Sequence, residues 1–205
     1  MRLLVTVRTE ARSNFAAQHL AAAEYFVSQV AAAELVTPPS KEVFAPADYL
    51  HCWFASIVFA VMALEANVYE LMTVADRGED SPIGRRRFRT EDMRKSLLDR
   101  YSLLYQVAKL GTRLPLDQGV AQEVRALVSL RDEVVHYKTE WRSSQVVSKK
   151  LEVLLRTRIP PNPYKCGDVF FPEQCVSFGS AQWAVDTARR FIKDFSTETG
   201  FRSTV

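Results

Sequence analysis

An arginine and a histidine share the end of one predicted helix in the stretch LRDEVVHYKTEW, residues 130–141. At 100° per residue, Arg131 falls about 20° from Val124, inside the apolar arc of that helix, whereas Asp132 and His136 lie at its polar edge. A guanidinium binds phosphate through several N–H groups, and histidine is the side chain whose ordinary pKa lies nearest neutrality. Such a pair could cleave RNA without a metal, because RNA carries its own nucleophile, the 2′-hydroxyl.

A purely structural interpretation of the same residues stays open. Arg131 could form a buried ion pair with Glu65 of the apolar second helix, and His136 could be a partly exposed side chain. For catalysis, one copy is geometrically incomplete, since the Arg131 and His136 side chains diverge by about 140° around the helix. Two copies facing each other across a two-fold axis would complete the pocket.

The sequence of this motif resembles the signature of HEPN domains (higher eukaryotes and prokaryotes nucleotide-binding). Arg131 is followed by the polar Asp132 and, after four intervening residues, by His136 near the end of a long helix. The segment ASIVFAVMALEANVYELM, residues 55–72, resembles the alanine-rich, glutamate-bearing helix found earlier in such domains. The resemblance covers residues 10–155 in organisation, and its distinctive part is confined to these two helices.

The resemblance implies an α-helical bundle that dimerises and brings two motifs into one cleft. Many HEPN domains are metal-independent ribonucleases, including toxins of toxin–antitoxin and defence systems, and others are non-catalytic modules that bind a nucleotide, a nucleic acid or a protein. Carried over to this chain, His136 would be the acid/base, Arg131 would bind the phosphate and Asp132 would fill the polar position beside it. Tyr137 resembles a tyrosine found near the histidine in some toxins. RNA would be the substrate, with no cofactor and no metal, and a toxin would have an antitoxin or nucleotidyltransferase partner.

Basic residues outnumber acidic ones just after the motif, which suits a phosphate-bearing ligand. They are Lys138, Arg142, Lys149, Lys150, Arg156 and Arg158, against Glu140 and Glu152. Lys138, Arg142 and Tyr137 are therefore candidate substrate-binding residues. The segment GRRRFR, residues 84–89, could also bind RNA, with Phe88 available for stacking, although its acidic flanks favour a solvated loop.

The composition is that of a single globular domain of 205 residues with a net charge of +3. Cys52, Cys166 and Cys175 are too scattered for a disulfide framework or a zinc site, which favours free thiols in a reducing cytosol. The longest apolar run, residues 52–64, is shorter than the roughly 18 residues of a membrane span. We therefore expect a buried core helix there and a cytoplasmic protein without membrane contact.

Helical periodicity predicts an all-α bundle of about five to six helices in one domain, residues 1–205, with its core at about 10–155. The predicted helices cover residues 9–35, 46–75, Thr90 to the segment LGTRLP, 116–141, 144–156 and 180–195, the last followed by a frayed tail. Residues 76–89 are predicted to be a loop. The proline-rich residues 158–179 are predicted to be irregular, with a short extended piece at DVFF, and to wrap over the bundle.

Overall fold

The protein is an all-α helical bundle. A computed structural model describes residues 14–36, 47–78, 81–109, 111–136, 149–160, 162, 170–202 and 205. The helices are α1 (Phe15–Val36), α2 (Ala47–Arg77), α3 (Thr90–Met93), α4 (Leu97–Ala108), α5 (Gly119–Val135), α6 (Lys149–Arg156) and α7 (Phe178–Thr199). A wide helical turn, Phe170–Gln174, precedes α7, and no strand occurs among the described residues. The predicted fold class is confirmed.

The long helix α2 lies at the centre of the bundle. It contacts α1, α4, α5 and α7, and it contributes fully buried residues along its length, among them Ile57, Leu64 and Met72. It is also long and apolar enough to cross a membrane by length and composition, and half of its most apolar window is buried inside the protein. The buried half forms the middle of the core and the other half forms a surface.

The third predicted helix is in fact two helices, so the prediction of one continuous helix from Thr90 is wrong. α3 ends at Met93, and α4 begins after Ser96, whose hydroxyl accepts a hydrogen bond from the backbone N–H of Asp99 at 3.3 Å. A serine in this position satisfies a backbone donor that the first turn of a helix leaves free, and it thereby starts a new helix. The break changes the direction of the chain before α4 packs against α2.

The C-terminal helix is longer than predicted at both ends. Ser177 caps its start by accepting from the N–H of Ser180 at 3.1 Å, and Gly200, with a φ of 78°, ends it. Phe201 then returns into the core with 2% of its surface exposed, so the chain is not frayed at that point.

The described part of residues 158–179 contributes to the core as well as covering the bundle, because it contains five buried apolar residues: Ile159, Phe170, Phe171, Cys175 and Val176. Phe171 is extended, with φ −111° and ψ 131°.

Candidate functional site

The contact between α2 and α5 brings Glu65 and Arg131 together. Each residue directly follows a fully buried leucine, Leu64 on α2 and Leu130 on α5, so both side chains emerge at the edge of the core. Arg131 Nη2 donates to Glu65 Oε1 at 3.1 Å. The pairing predicted from the sequence is therefore confirmed, across 66 residues of chain.

This ion pair is only partly buried. The Arg131 side chain keeps 25% of its surface exposed and that of Glu65 keeps 38%. Position on the apolar arc predicts a more deeply buried arginine, but the long side chain of Arg131 carries its guanidinium from the core towards solvent. The group is consequently within reach of a ligand, and water reduces the strength of the pair.

A second carboxylate lies beside the same guanidinium. Arg131 Nε and Asp132 Oδ1 are 3.0 Å apart, which makes them an ion pair by distance. The N–H does not point at that oxygen, however, and Nε is shielded from solvent without a hydrogen bond. We take this contact as a close charge interaction rather than a hydrogen bond, because hydrogen bonds weaken steeply when they are bent. Arg131 therefore retains unused donor capacity between two carboxylates.

His136 is the residue at which α5 ends. Its backbone N–H donates to the carbonyl oxygen of Asp132 at 2.9 Å, and its φ of −105° and ψ of 21° leave the helical range. Its side chain is exposed. Arg131, Asp132 and His136 thus occupy the last two turns of one helix, with Glu65 facing them from α2, and solvent reaches the imidazole directly.

All three candidate substrate-binding residues, Tyr137, Lys138 and Arg142, lie outside the described residues. Two of the basic residues that follow them, Arg156 and Arg158, are described. Arg156 donates to Glu152 at 2.7 Å and to Gln174 at 3.0 Å, and its guanidinium lies 4.7 Å from the ring centroid of Phe170. Arg158 bonds Leu154 O and Gln122 Oε1 at 2.6 and 3.2 Å. Arg156 thus joins α6 to residues 170–174, and Arg158 joins the end of α6 to α5.

An open groove of about 500 Å³ runs along α2 from Glu65. It is lined by Phe15 of α1, by Glu65, Ala66, Tyr69, Glu70 and Thr73 of α2, and by Arg100 of α4. Phe15 and Tyr69 are exposed to 54% and 53%, and the Nε of Arg100 is buried without a hydrogen bond. Of these residues, only Glu65 was predicted from the sequence. The spacing of Glu65, Tyr69 and Thr73 at four-residue intervals on an apolar helix is the one signal that could have indicated them.

The two described cysteines are not activated for catalysis, and no metal site forms among the described residues. Cys52 and Cys175 are free, as predicted, and Cys166 lies outside the described residues. Burial raises the pKa of Cys175 to about 12, and burial together with Asp48 raises the pKa of Cys52, so neither thiol is activated as a nucleophile. Within the described ranges, no three or more His, Cys, Asp or Glu side chains group in a way that could hold a metal ion.

A larger groove, of about 810 Å³, lies between α4 and the connection to α5. Its charged lining is largely paired, since Arg125 donates to Asp117 at 2.9 Å and Lys95 to Asp92 at 2.7 Å. It contains none of Glu65, Arg131 and His136. Size alone does not make it the better candidate, because its charged side chains, apart from Arg113, already have partners within the protein.

No protein-family model, curated protein or solved structure matches this chain. The chemistry of the candidate site is therefore inferred from its own residues.

Proposed function

We propose that this protein is a HEPN-type, metal-independent endoribonuclease, with His136 as the acid/base and Arg131 as the phosphate-binding group. One observation carries the proposal. Arg131 reaches the surface at the α2–α5 contact with 25% exposure, on the same helix end as the exposed His136. A fully buried arginine would have been an ion pair and nothing more.

The reaction that suits these groups is internal transesterification of RNA. His136 removes the proton of a 2′-hydroxyl, the 2′-oxygen bonds to the adjacent phosphorus, and the bond from phosphorus to the 5′-oxygen breaks. A proton passes to the leaving 5′-oxygen, and the products are a 2′,3′-cyclic phosphate and a 5′-hydroxyl. Arg131 stabilises the negative charge that the crowded phosphate develops, and Asp132 and Glu65 fix the position of the guanidinium.

The proposal includes a homodimer that joins the two helix ends. A single α5 presents one imidazole and one guanidinium that point in different directions, so it cannot surround a phosphate. A two-fold axis near His136 would place a second histidine where it can protonate the leaving oxygen. Val135, beside His136, is 46% exposed and could form part of such an interface. In this proposal the protein is cytoplasmic, and an antitoxin or nucleotidyltransferase would be its partner if it acts as a toxin.

A second candidate function is a non-catalytic HEPN module that binds a nucleotide, a nucleic acid or a protein. The observation that favours it is the pair of carboxylates around Arg131, at 3.1 Å for Glu65 and 3.0 Å for Asp132. Two negative charges beside a guanidinium weaken its attraction for a phosphate.

Incubation of the purified protein with total RNA in the presence of EDTA distinguishes the two functions. The nuclease proposal expects cleavage that survives the chelator and leaves 2′,3′-cyclic phosphate ends. Intact RNA of varied sequence and structure after prolonged incubation would instead favour the binding module.

A further inference from the structure

One strongly basic segment of this protein is residues 84–95, here named the arginine loop. It contains six Lys or Arg residues and two Asp or Glu residues, hence a net charge of +4, equal to that of residues 138–158. A segment of this charge attracts a polyanion.

Most arginines of the loop have no partner within the described part of the chain. The side chains of Arg85, Arg86, Arg87 and Arg94 are exposed, and among the described residues they form no hydrogen bond or ion pair. On α5 and α7, by contrast, arginines are paired, for example Arg125 with Asp117, Arg189 with Glu24 and Arg190 with Glu123.

Asp92, an acidic residue of the loop, does not cancel the charge of the arginines. Asp92 accepts from Lys95 Nζ at 2.7 Å and from the backbone N–H of Arg89 at 3.0 Å, and these bonds hold the pKa of Asp92 below its usual range. The Asp92 carboxylate is therefore occupied locally. It neutralises the ammonium of Lys95 and leaves the more distant guanidinium groups free.

The backbone of the loop is fixed to the bundle. The N–H of Arg86 donates to the carbonyl oxygen of Ala75 on α2 at 2.7 Å, and Ile83 and Phe88 pack against the core. Phe88 is thus an anchor and not the stacking platform that its sequence context suggests. A loop held at three points loses little conformational entropy when it binds, which favours a binding surface over a merely solvated segment.

The groove along α2 lies between the candidate site and the loop along the helix, since its lining begins at Glu65, the partner of Arg131, and ends at Thr73, two residues before Ala75. Ala75, which bonds the loop, lies ten residues after Glu65, or about 15 Å along the helix axis. Between them the groove exposes the ring of Tyr69 and, from α1, the ring of Phe15. The groove also contains the carboxylates of Glu65 and Glu70 and the guanidinium of Arg100. Basic groups in the loop and exposed aromatic rings in the groove are the two kinds of group that single-strand nucleic-acid sites combine, for phosphate contacts and base stacking.

We propose that the arginine loop binds the phosphates of single-stranded RNA and guides the strand along the α2 groove towards Arg131 and His136. This inference rests on the proposed function in taking RNA as the polymer. An acidic peptide or an anionic membrane would also be attracted by the guanidinium groups, but neither carries a row of bases that could stack on the exposed aromatic rings of the groove.

The test measures binding separately from cleavage. The ligand is a fluorescein-labelled 2′-O-methyl oligouridylate of about 16 nucleotides, the upper end of single-strand site sizes, which has no 2′-hydroxyl to attack. Fluorescence anisotropy gives its affinity for the full chain between about 50 and 200 mM salt. The variant Arg85→Gln/Arg87→Gln is compared with Arg189→Gln/Arg190→Gln, which removes the same charge from two paired arginines of α7.

The loop variant should lose two phosphate contacts. Each contact to a single strand contributes about 0.7 to the slope of log K against log salt, so the slope should become shallower by about 1.4. At about 0.1 M salt this corresponds to a Kd roughly 25-fold weaker. The α7 variant should keep the slope and the affinity of the wild type, and both variants should melt as the wild type does.

The inference would be overturned if both variants lost affinity equally, if the loop variant bound as well as the wild type, or if the wild type did not bind. It would also be overturned if polyglutamate or phosphatidylserine vesicles bound through Arg85 and Arg87 while the oligonucleotide did not bind. Binding through the loop with RNA left intact would refute the nuclease and leave this inference standing. RNA cleavage by the wild type, together with a loop variant that binds as well as the wild type, would refute this inference and leave the nuclease proposal standing.

Discussion

At the scale of single residues, replacing Arg131 distinguishes a structural role, as an ion-pair partner, from a catalytic role. Because Arg131 and Glu65 are 25% and 38% exposed, water already screens their attraction. We expect Arg131→Ala to cost about 1 kcal/mol of stability, less than the roughly 3–5 kcal/mol of a fully buried pair. RNA cleavage should fall by a factor of about 10²–10³, as when a group that stabilises transition-state charge is removed. Thermal melting and single-turnover cleavage measure the two effects.

Arg125→Ala is the matched control for this variant. Arg125 lies on the same helix and also has a carboxylate partner, Asp117 at 2.9 Å, but it lies outside the candidate site. Its loss should change stability by a similar small amount and leave cleavage unchanged. Severe unfolding by Arg131→Ala, together with a fully active His136→Ala protein, would mean that Arg131 is structural.

At the scale of elements, Glu34 holds the start of α7 against the α1–α2 pair. Its Oε1 accepts from the backbone N–H of Phe178 at 2.6 Å and from the hydroxyl of the buried Tyr49 at 2.5 Å. Glu34→Ala removes the acceptor of both bonds, although the Tyr49 hydroxyl keeps the carbonyl oxygen of Val176 at 3.5 Å. The N–H of Phe178 loses its acceptor, and the change should cost about 2 kcal/mol, since an unsatisfied buried donor costs about 1–3 kcal/mol. Glu24→Ala on the same helix breaks only the exposed pair with Arg189 and should cost less than about 1 kcal/mol. Chemical denaturation of both variants checks this, and equal losses would contradict it.

The turn that leads from α2 to the arginine loop depends on Gly78. Its φ is 76°, and a Cβ there would lie 2.8 Å from the Cβ of Arg85. Gly84 has a similar φ of 66° but open space around it. Both changes to alanine incur the strain of a left-handed backbone, about 1–3 kcal/mol, and only Gly78→Ala adds a clash. We expect Gly78→Ala to melt at the lower temperature and to weaken oligonucleotide binding, and equal melting temperatures would show that the clash is relieved.

Most of the long helices could be predicted because their apolar residues recur with helical periodicity, whereas the ends of the helices were harder to predict. The apolar run in α2 and the prolines after α1 are local signals, so those elements follow from sequence. The break between α3 and α4 depends on Ser96, whose capping role is invisible among other polar residues until the backbone is seen. The continuation of α7 to Thr199 depends on Phe201 finding a place in the core, which is a tertiary effect.

At the scale of the whole molecule, the proposed mechanism requires two chains. We expect a sedimentation mass of twice 23.3 kDa at micromolar concentration. Val135→Glu should place a charge in the interface beside His136, and the protein should then be monomeric and inactive. Val153→Glu is the control, because Val153 is 67% exposed and lies on a different helix, α6. A monomeric wild type that cleaves RNA would contradict the requirement for a dimer.

The candidate site could be predicted from sequence only where its residues share a helix. Arg131, Asp132 and His136 are neighbours along α5, and Glu65 was identified because a lone carboxylate on an apolar helix needs a partner. Phe15 and Arg100 reach the groove from α1 and α4, and no pattern along the chain links them to Tyr69. Their proximity results from how the helices pack, which periodicity does not specify.

The most direct test of the proposed function is the action of wild type and His136→Ala on the same RNA in EDTA. His136 is exposed at the end of α5, so its replacement should change stability by no more than about 0.5 kcal/mol. We predict that the wild type leaves 2′,3′-cyclic phosphate ends and that the variant is slower by a factor of about 10²–10⁴, the usual contribution of an acid/base group. Cleavage that continues unchanged in His136→Ala, or its absence in both proteins, would contradict the assignment.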